Sequence, residues 1–148
     1  MTPQQIAERC AEIMWPDDHA ARGLGMHIEA VGPGTATLTM TVRPDMVNGH
    51  GTCHGGFIFA LADSTFAYAC NSSNYRTVAA GVDINFVAPA HLGDRLSAAG
   101  IARQQGGRSG VYDIEVHNQD GKLIALFRGR SSRVKGHFFD DGNAPESA

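Results

Sequence analysis

The sequence has few of the features that direct a chain to a disulfide framework or to nucleic acid. Its 148 residues include only three cysteines, Cys10, Cys53 and Cys70, and no Cys-x-x-Cys pair. Widely spaced cysteines in an odd number are typical of thiols in a reducing compartment. The net charge is −3 and the sequence pI is near 6.1, so no global basic field favours nucleic acid or an anionic membrane.

Long apolar runs and targeting signals are missing as well. No apolar run could span a bilayer, and the first residues lack the basic and apolar regions of a secretory signal. We therefore expect a soluble, cytoplasmic protein without a nucleic-acid or membrane partner. The length favours a single domain. We assign this domain to residues 1–135, including an N-terminal helix, and expect the polar, acidic residues 136–148 to form a disordered tail.

Local signals predict an N-terminal helix followed by a strand hairpin. Thr2 and Pro3 form a cap and a favoured first position, and apolar residues then recur every three or four positions until Trp15-Pro16 ends the helix. A short helical piece is expected at residues 17–22. Between residues 27 and 42 the apolar period changes to two around a Gly-Pro-Gly turn, which predicts a hairpin with one buried face.

A long apolar helix is predicted at residues 55–71, followed by four strand-like runs. Apolar residues occupy nearly every face of this helix, so we expect it to be enclosed rather than to lie on a surface. A helix that is apolar on most sides needs a sheet curled around it, which is an α+β architecture. The four runs predict an antiparallel meander. They span residues 77–88, 95–105, 110–118 and 122–134.

Two features of the central helix point to chemistry. Gly55 and Gly56 open the helix, and a glycine pair leaves unpaired N–H groups that an anionic oxygen can approach without meeting a Cβ. Asp63 lies about two turns further on, too far from the N-terminus to be a cap. Its apolar neighbours predict partial desolvation, which raises a carboxyl pKa. The alternative is a structural aspartate bonded to a buried serine or a backbone N–H.

The spacing of these two features indicates an assembly. Gly55 and Asp63 are eight residues apart, about 12 Å along one helix. Catalysis needs a polarising N–H and an attacking group that both lie about 3 Å from one carbonyl. Two antiparallel helices related by a two-fold axis would bring Gly55 of one chain beside Asp63 of the other. We therefore predict a homodimer that shares its active sites.

The motifs of the central region resemble a known family. From residue 24 to residue 134 the chain is similar to hotdog-fold acyl-CoA thioesterases, and closely resembles their phenylacetic-acid-degradation (PaaI-type) branch. The matching motifs are Asn48-Gly-His-x-x-Cys-His-Gly-Gly56, Leu61-Ala-Asp63, Phe66-Ala-Tyr-Ala-Cys-Asn71, Gly110-Val-Tyr-Asp-Ile-Glu115 and Ala125-Leu-Phe-Arg-Gly129. The resemblance implies a hotdog fold, an antiparallel sheet wrapped around the central helix.

It also implies the hydrolysis of an acyl-CoA thioester without a further cofactor, since coenzyme A is part of the substrate. The Gly55 N–H would polarise the thioester carbonyl. Asp63 would either attack this carbonyl or act as a general base on water. Asn48 would orient the acyl group, the water or Asp63, and His54 would be a positioning hydrogen-bond partner. The family also implies shared sites in a dimer, often within a dimer of dimers.

Each of these roles has a structural alternative. Asn48 is also typical of a turn residue in the left-handed conformation before Gly49, and His54 of a residue that bonds the loop backbone where the helix begins. Several relatives hold the attacking water with a serine or threonine on the strand that faces the carboxylate. Here Ala80 or Gly81 takes that position and would only line the substrate site. The water-holding role is then absent or passes to Ser64, Thr65 or Thr77.

Coenzyme A carries phosphates, so cations are expected at the mouth of the site. Arg128, Arg130 and Arg133 on the last strand are the candidates, because a guanidinium binds phosphate in a bidentate fork. Arg108 is a weaker candidate. The alternative for the three strand residues is a basic edge that prevents edge-to-edge pairing.

The acyl group is expected to be aromatic, because PaaI-type enzymes prefer aromatic acyl-CoAs, notably hydroxylated phenylacetyl-CoA, in phenylacetate breakdown. The side chains that could wall an aryl pocket are Phe57, Phe59, Phe66, Tyr68 and Phe86. The same residues are also needed to pack the helix against the sheet.

Other functions fit the sequence less well. His50 and His54 lie in a glycine-rich loop without a completing ligand, so no metal site is expected. Cys53 adjoins His54 in sequence, where side chains project apart, and is interpreted as packing. No Gly-x-Ser-x-Gly motif of a serine thioesterase occurs. A hotdog acyl-CoA hydratase or dehydratase and a non-catalytic acyl-CoA-binding protein stay as alternatives.

Overall fold

A six-stranded antiparallel sheet and one long helix form the frame of the computed structural model, which describes residues 1–142. The helices are α1 (Pro3–Met14), α2 (His19–Gly23) and α3 (Gly55–Cys70). The strands are β1 (His27–Gly32), β2 (Thr35–Thr41), β3 (Thr77–Phe86), β4 (Arg95–Gly106), β5 (Ser109–His117) and β6 (Leu123–Arg133). No helix within these residues is long and apolar enough to cross a membrane.

The predicted start of helix α1 is confirmed by its cap. The Thr2 hydroxyl accepts a hydrogen bond from the Gln5 N–H at 3.1 Å, and the Gln5 side chain accepts one from the Thr2 N–H at 2.8 Å. Two otherwise unpaired N–H groups are thereby satisfied. Trp15 and Pro16 then end the helix in a 3₁₀ turn, Trp15–Asp17, because proline cannot continue the α-helical ladder.

The expected α+β architecture is confirmed. Helix α3 contacts all six strands, and its buried side chains form one core with the inward-facing residues of the sheet. Phe66, for example, lies over Gly129 of β6, where an added Cβ would come within 2.6 Å of the ring. The sheet therefore wraps around the helix closely enough that β6 needs a glycine at this position.

The enclosure of α3 is less complete than the sequence predicts. Its residues that stay partly exposed recur at intervals of three or four, which defines one face of a helix. This exposed stripe consists of Gly56, Ala60, Asp63 and Ala67, with Phe57, Phe59 and Ser64 partly exposed beside it. Within one chain, the stripe is a mainly apolar surface that carries one carboxylate.

The sheet order is β1-β2-β4-β5-β6-β3. The predicted hairpin of β1 and β2 is confirmed, whereas the predicted four-strand meander is wrong for β3. Strand β3 pairs with β6 at the far edge of the sheet rather than with β4. Residues 87–94 cross from this edge to the sheet centre, which a hairpin turn could not do. Strand β3 thus keeps one edge unpaired within the described chain.

The chain is ordered beyond the predicted boundary at residue 136. Asn74 is fully buried, and its side-chain oxygen accepts hydrogen bonds from the N–H groups of Phe138 and Phe139 at 2.9 and 3.2 Å. Its amide nitrogen donates to the Phe139 carbonyl at 2.8 Å. The expected disordered tail is therefore wrong for residues 136–139. Residues 143–148 of that tail lie outside the described residues.

Candidate active site

Asp63 lies on the exposed stripe of α3 with its side chain partly buried. Burial raises the pKa of its carboxyl above the ordinary value, and no other cause contributes to the shift. Within residues 1–142 no hydrogen bond or ion pair reaches this carboxylate, so the alternative of a structural aspartate held by a serine or an N–H finds no partner. An under-solvated carboxylate without a partner is a reactive base or nucleophile.

The start of helix α3 leaves one N–H group unpaired. His54 adopts an extended conformation (φ −60°, ψ 132°), and its Nδ1 accepts a hydrogen bond from the Gly56 N–H at 2.9 Å. The Phe57 N–H donates to the His54 carbonyl at 3.0 Å. Among the described residues no acceptor faces the Gly55 N–H, which therefore lies at the positive end of the helix dipole, ready for an anionic oxygen.

His54 thus has the structural role considered from the sequence, that of bonding backbone where the helix begins. Its Nδ1 accepts the hydrogen bond from the Gly56 N–H, so a neutral ring carries its own proton on Nε2. The ring itself is exposed, and Nε2 stays available as a donor to a ligand. The capping and the positioning roles are therefore compatible.

Asn48 organises the loop before the helix. Its side-chain oxygen accepts hydrogen bonds from the His50 N–H at 2.9 Å and from the Thr52 N–H and hydroxyl at 3.2 Å each. The left-handed alternative for Asn48 is wrong, because Asn74 is the non-glycine residue with positive φ in the described chain. The Asn48 oxygen is committed to the loop, which leaves its amide NH₂ as the group that a substrate can use.

Backbone hydrogen bonds hold this loop against the crossover that leads to β4. The His54 N–H donates to the Met46 carbonyl at 2.7 Å, and the Cys53 N–H donates to the Ala90 carbonyl at 2.8 Å. The Cys53 side chain is buried, and burial raises the pKa of its thiol. A raised pKa disfavours the nucleophilic thiolate, in agreement with a packing role.

The positions proposed to face the carboxylate lie at an irregularity of β3. Ala79 pairs with Ser131 and Gly81 with Arg130, so Ala80 is an additional residue in a β-bulge. Ala80 is exposed and Gly81 partly exposed. Neither residue has a side-chain donor, as the sequence indicated.

Two of the three hydroxyls considered as replacements are already engaged. The Thr65 hydroxyl donates to the Leu61 carbonyl at 2.9 Å within the helix. The Thr77 hydroxyl donates to the Tyr75 carbonyl, also at 2.9 Å. Both are therefore poorly suited to hold a water. Of the three, Ser64 beside Asp63 stays without a hydrogen bond in the part of the chain that the structure describes.

The three arginines of β6 do not form one cluster. Side chains alternate between the two faces of a strand, and buried Phe127, Gly129 and Ser131 mark the face toward the helix. Arg128 and Arg130 consequently project from the outer face. Arg133 projects from the inner face, near the end of the strand. The three candidates therefore do not share one face of β6.

Their contacts separate them further. Arg128 donates to both carboxylate oxygens of Asp113, at 2.6 and 2.8 Å, and this pairing is the main reason why the pKa of Asp113 is lowered. Arg130 lies against Gly81, where an added Cβ would be 2.7 Å from its Nη2. The Arg133 guanidinium is 4.1 Å from the centre of the Tyr75 ring. Arg133 alone of the three combines an aromatic contact with the inner face.

The aromatic side chains proposed as an aryl pocket also divide. Phe66 and Tyr68 are fully buried, and the Tyr68 hydroxyl donates to the Asp18 carboxylate at 2.9 Å, so these two residues are core. Phe86 is 53% exposed and covers Gly55, where an added Cβ would be 3.0 Å from the ring. It borders a pocket beside the start of α3. The pocket is lined by Cys53, Gly55, Ile58, Phe86, Val87, Ala88 and Pro89.

Sequence reasoning missed several residues around this region. Residues 87 and 88 were assigned to a strand and Pro89 to a turn, although all three line the pocket at Gly55. The Ser131 hydroxyl, next to Ala79 in the register, is a buried side-chain oxygen without a hydrogen-bond partner in the described chain. The alternation of β6, which places Ser131 on the same face as Phe127 and Gly129, is the signal that could have indicated it. In residues 1–142 no three potential ligands converge as a metal site.

Comparisons with known proteins agree with this geometry. Residues 50–125, about half of the chain, match the thioesterase superfamily. Acyl-coenzyme A thioesterase PaaI of Escherichia coli (strain K12) is 48% identical over 126 residues, which are 85% of this chain and 90% of that protein. The solved structure of the E. coli PaaI protein from the phenylacetic acid degradation operon has a TM-score of 0.91 and 46% identity, and the match covers 92% of this chain and 99% of that one.

A more distant solved structure is that of smu.793 from Streptococcus mutans UA159 bound to acetyl CoA. It has 26% identity and a TM-score of 0.72, and the match covers 76% of this chain and 90% of that one. The expected fold and the expected thioesterase activity are thus confirmed by sequence and by structure. The chain belongs to the thioesterase superfamily, in which it is a hotdog-fold acyl-CoA thioesterase of the PaaI type.

Proposed function

We propose that the protein hydrolyses aromatic acyl-CoA thioesters of the phenylacetyl and hydroxyphenylacetyl type to the free acid and coenzyme A, in phenylacetate catabolism. The observation that carries the mechanism is the partly buried Asp63 carboxylate on the exposed stripe of α3, which has no partner among residues 1–142. The aromatic class is supported by the relative from a phenylacetic acid degradation operon and by the apolar pocket under Phe86 beside Gly55.

In this mechanism the Gly55 N–H donates a hydrogen bond to the thioester carbonyl and stabilises the oxyanion as it forms. Asp63 acts in one of two ways. As a nucleophile it forms a mixed anhydride, expels the coenzyme A thiolate and is released by water. As a general base it takes a proton from the water that attacks the carbonyl. The Asn48 amide and the His54 Nε2–H are donors that orient the acyl group or the water.

The two groups act on the same carbonyl only when they come from different chains. Along α3 they are eight residues, about 12 Å, apart, and the exposed stripe between them is mainly glycine and alanine. Small residues let two helices approach closely. A second copy, antiparallel across a two-fold axis, would bring Gly55 beside Asp63 of the partner subunit, twice per dimer.

Strand β3 supplies the rest of the proposed dimer surface. Its outer edge is unpaired within the described chain, and Val78, Val82 and Phe86 are 49%, 41% and 53% exposed. A ten-residue edge strand with exposed apolar side chains is a template for pairing. We propose that the β3 strands of two copies lie side by side in the dimer, and that two dimers associate further into a dimer of dimers.

A charge in this surface is expected to remove activity and assembly together. Val82 lies in the middle of β3 on the face toward the helix, since it pairs with Gly129. The Val82→Asp variant should therefore be monomeric and at least 100-fold less active, because each site loses its second chain. Light scattering and thiol release at the same protein concentration measure the two effects. Leu92→Asp, at an exposed turn residue, is the matched control. A monomeric Val82→Asp protein with full activity would refute the shared site.

A substrate panel tests the aromatic assignment. We expect kcat/KM to be roughly tenfold higher for phenylacetyl-CoA and hydroxyphenylacetyl-CoA than for a straight-chain acyl-CoA of similar size, since one aromatic pair adds about 0.5–1.5 kcal/mol. Free-thiol detection during steady-state hydrolysis gives the values. Phe86→Leu should lower the aromatic rates and leave the straight-chain rate nearly unchanged. A straight-chain preference in the unaltered protein would overturn the assignment.

A further inference from the structure

Two arginines near the end of α3 are stacked on aromatic rings and have no acidic partner in the part of the chain that the structure describes. The Arg76 guanidinium lies 4.6 Å from the centre of the Phe138 ring, and the Arg133 guanidinium lies 4.1 Å from the centre of the Tyr75 ring. Neither guanidinium forms an ion pair within residues 1–142. We name these four side chains the stacked-arginine cluster.

Backbone hydrogen bonds fix the geometry of the cluster. The Arg76 N–H donates to the Gly136 carbonyl at 3.1 Å, and the Val134 N–H donates to the Arg76 carbonyl at 2.8 Å. The Arg76 Nε donates to the His137 carbonyl at 3.2 Å. Residues 136–139 are held in turn by the buried Asn74. These bonds hold Arg76, and stacking on Tyr75 orients Arg133, so an anion that binds the two guanidiniums loses little ordering entropy.

The cluster lies within reach of Asp63. The Asn71 side chain, at the end of α3, accepts from the Thr77 N–H at 2.8 Å and donates to the Thr77 carbonyl at 3.1 Å. These bonds keep Thr77 and the preceding residue, Arg76, beside the end of the helix. Arg133 lies there as well, because it pairs with Thr77 on the neighbouring strand. Asp63 precedes Asn71 by eight residues, about 12 Å of helix. The pantetheine arm of coenzyme A has a main chain about as long as four extended residues, about 14 Å.

We infer that Arg76 and Arg133 bind the phosphates of the coenzyme A part of the substrate. The inference rests on the proposed function. A protein of net charge −3 needs a local positive site for such a ligand, and two rigid guanidiniums match phosphate oxygens. Arg128 is less suitable, because Asp113 already occupies its donors. The inference places the binding site for the nucleotide end of coenzyme A at the end of α3 rather than on the outer face of β6.

The test compares two thioesters of the same acyl group, phenylacetyl-CoA and phenylacetyl-pantetheine, which lacks all phosphates. For Arg76→Gln and Arg133→Gln we expect KM for the CoA thioester to rise about tenfold each, with kcat within twofold. Both constants for the pantetheine thioester should stay unchanged. Arg9→Gln, which removes an exposed arginine paired with Glu12 on α1, is the matched control and should leave both substrates unaffected.

Equal losses with both thioesters would overturn the inference, because they would show that the two arginines only stabilise the fold, for example as cations near a helix C-terminus. An unchanged KM for the CoA thioester would overturn it as well. The proposed function itself is tested separately, with the unaltered protein. If that protein hydrolyses neither thioester, the proposed function is wrong, and binding of coenzyme A to the same variants then decides the role of the arginines.

Discussion

Replacement of Asp63 by asparagine is expected to lower kcat for acyl-CoA hydrolysis by about 10³-fold, with KM changed by less than threefold. Asparagine has nearly the same shape, so the exposed stripe of α3 and the substrate site keep their form. It can neither attack a carbonyl nor take a proton from water. The whole loss should therefore appear in the chemical step.

Steady-state thiol release and equilibrium binding of coenzyme A measure the two effects. Asp120→Asn, at an exposed turn residue, removes the same charge elsewhere and should leave both constants unchanged. Turnover by Asp63→Asn within tenfold of the unaltered protein would contradict both the nucleophilic and the general-base mechanism.

The raised pKa of Asp63 also predicts how activity and stability depend on pH. The ionised carboxylate is the active form, so kcat should fall as pH decreases through a pKa above the ordinary aspartate value. Ionisation of Asp63 is expected to lower the free energy of unfolding, whereas ionisation of a salt-bridged aspartate raises it. In the pH range between the unfolded and the folded pKa the folded state binds more protons, so the free energy of unfolding decreases as pH rises through this range.

Asp63→Asn should accordingly have a higher melting temperature than the unaltered protein at pH 7. This advantage should disappear below the pKa of the unfolded chain, near 3.9. A carboxylate that weakens the fold where it is ionised is expected of a site retained for activity rather than for stability. An unaltered melting temperature at pH 7 would show that burial of Asp63 costs nothing in the folded protein.

Elements that depend on neighbouring residues could be predicted from the sequence. The Thr2 and Gln5 cap, the hairpin of β1 and β2 and the helix that begins at Gly55 rest on signals within a few positions. The place of β3 could not be predicted, because its choice between β4 and β6 is a long-range pairing. The exposed stripe of α3 could not be predicted either, because the sequence shows how apolar a helix face is but not which elements cover it.

The same distinction applies to the candidate site. The glycine pair and Asp63 are unusual residues for a helix, so the sequence itself indicates them. The arginines were harder to interpret, because their roles depend on the face of β6 and on Asp113, the register partner of Arg128 on the neighbouring strand β5. Residues 136–139 include two phenylalanines and precede the polar, acidic residues 140–148, and the bonds from the buried Asn74 show that they pack on the chain.

The Gly55→Pro substitution is expected to lower kcat by about 10²-fold or more, because it removes the one N–H that would hold the oxyanion. The first position of a helix accepts proline, and the extended His54 before it has a compatible conformation. Gly55→Ala is the matched control. It adds the same Cβ against the Phe86 ring but keeps the N–H, so the difference between the two variants in thiol release isolates the hydrogen bond. Equal activities would exclude the Gly55 N–H from the oxyanion site.

These two inactive variants together determine whether the site is shared. A dimer of one Gly55→Pro chain and one Asp63→Asn chain contains one site with both defects and one site with neither, if each site combines Gly55 of one chain with Asp63 of its partner. Random pairing of equal amounts should then restore roughly a quarter of the activity of the unaltered protein, because half of the dimers are mixed and each has one of its two sites intact. If both groups came from the same chain, every site would carry one defect and mixing would restore nothing.

Co-expression with two different affinity tags isolates the mixed dimer, in which the recovered activity should approach one half of the unaltered value per dimer. The eight residues between Gly55 and Asp63 make recovery the expected result, since one helix cannot bring both ends to the same carbonyl.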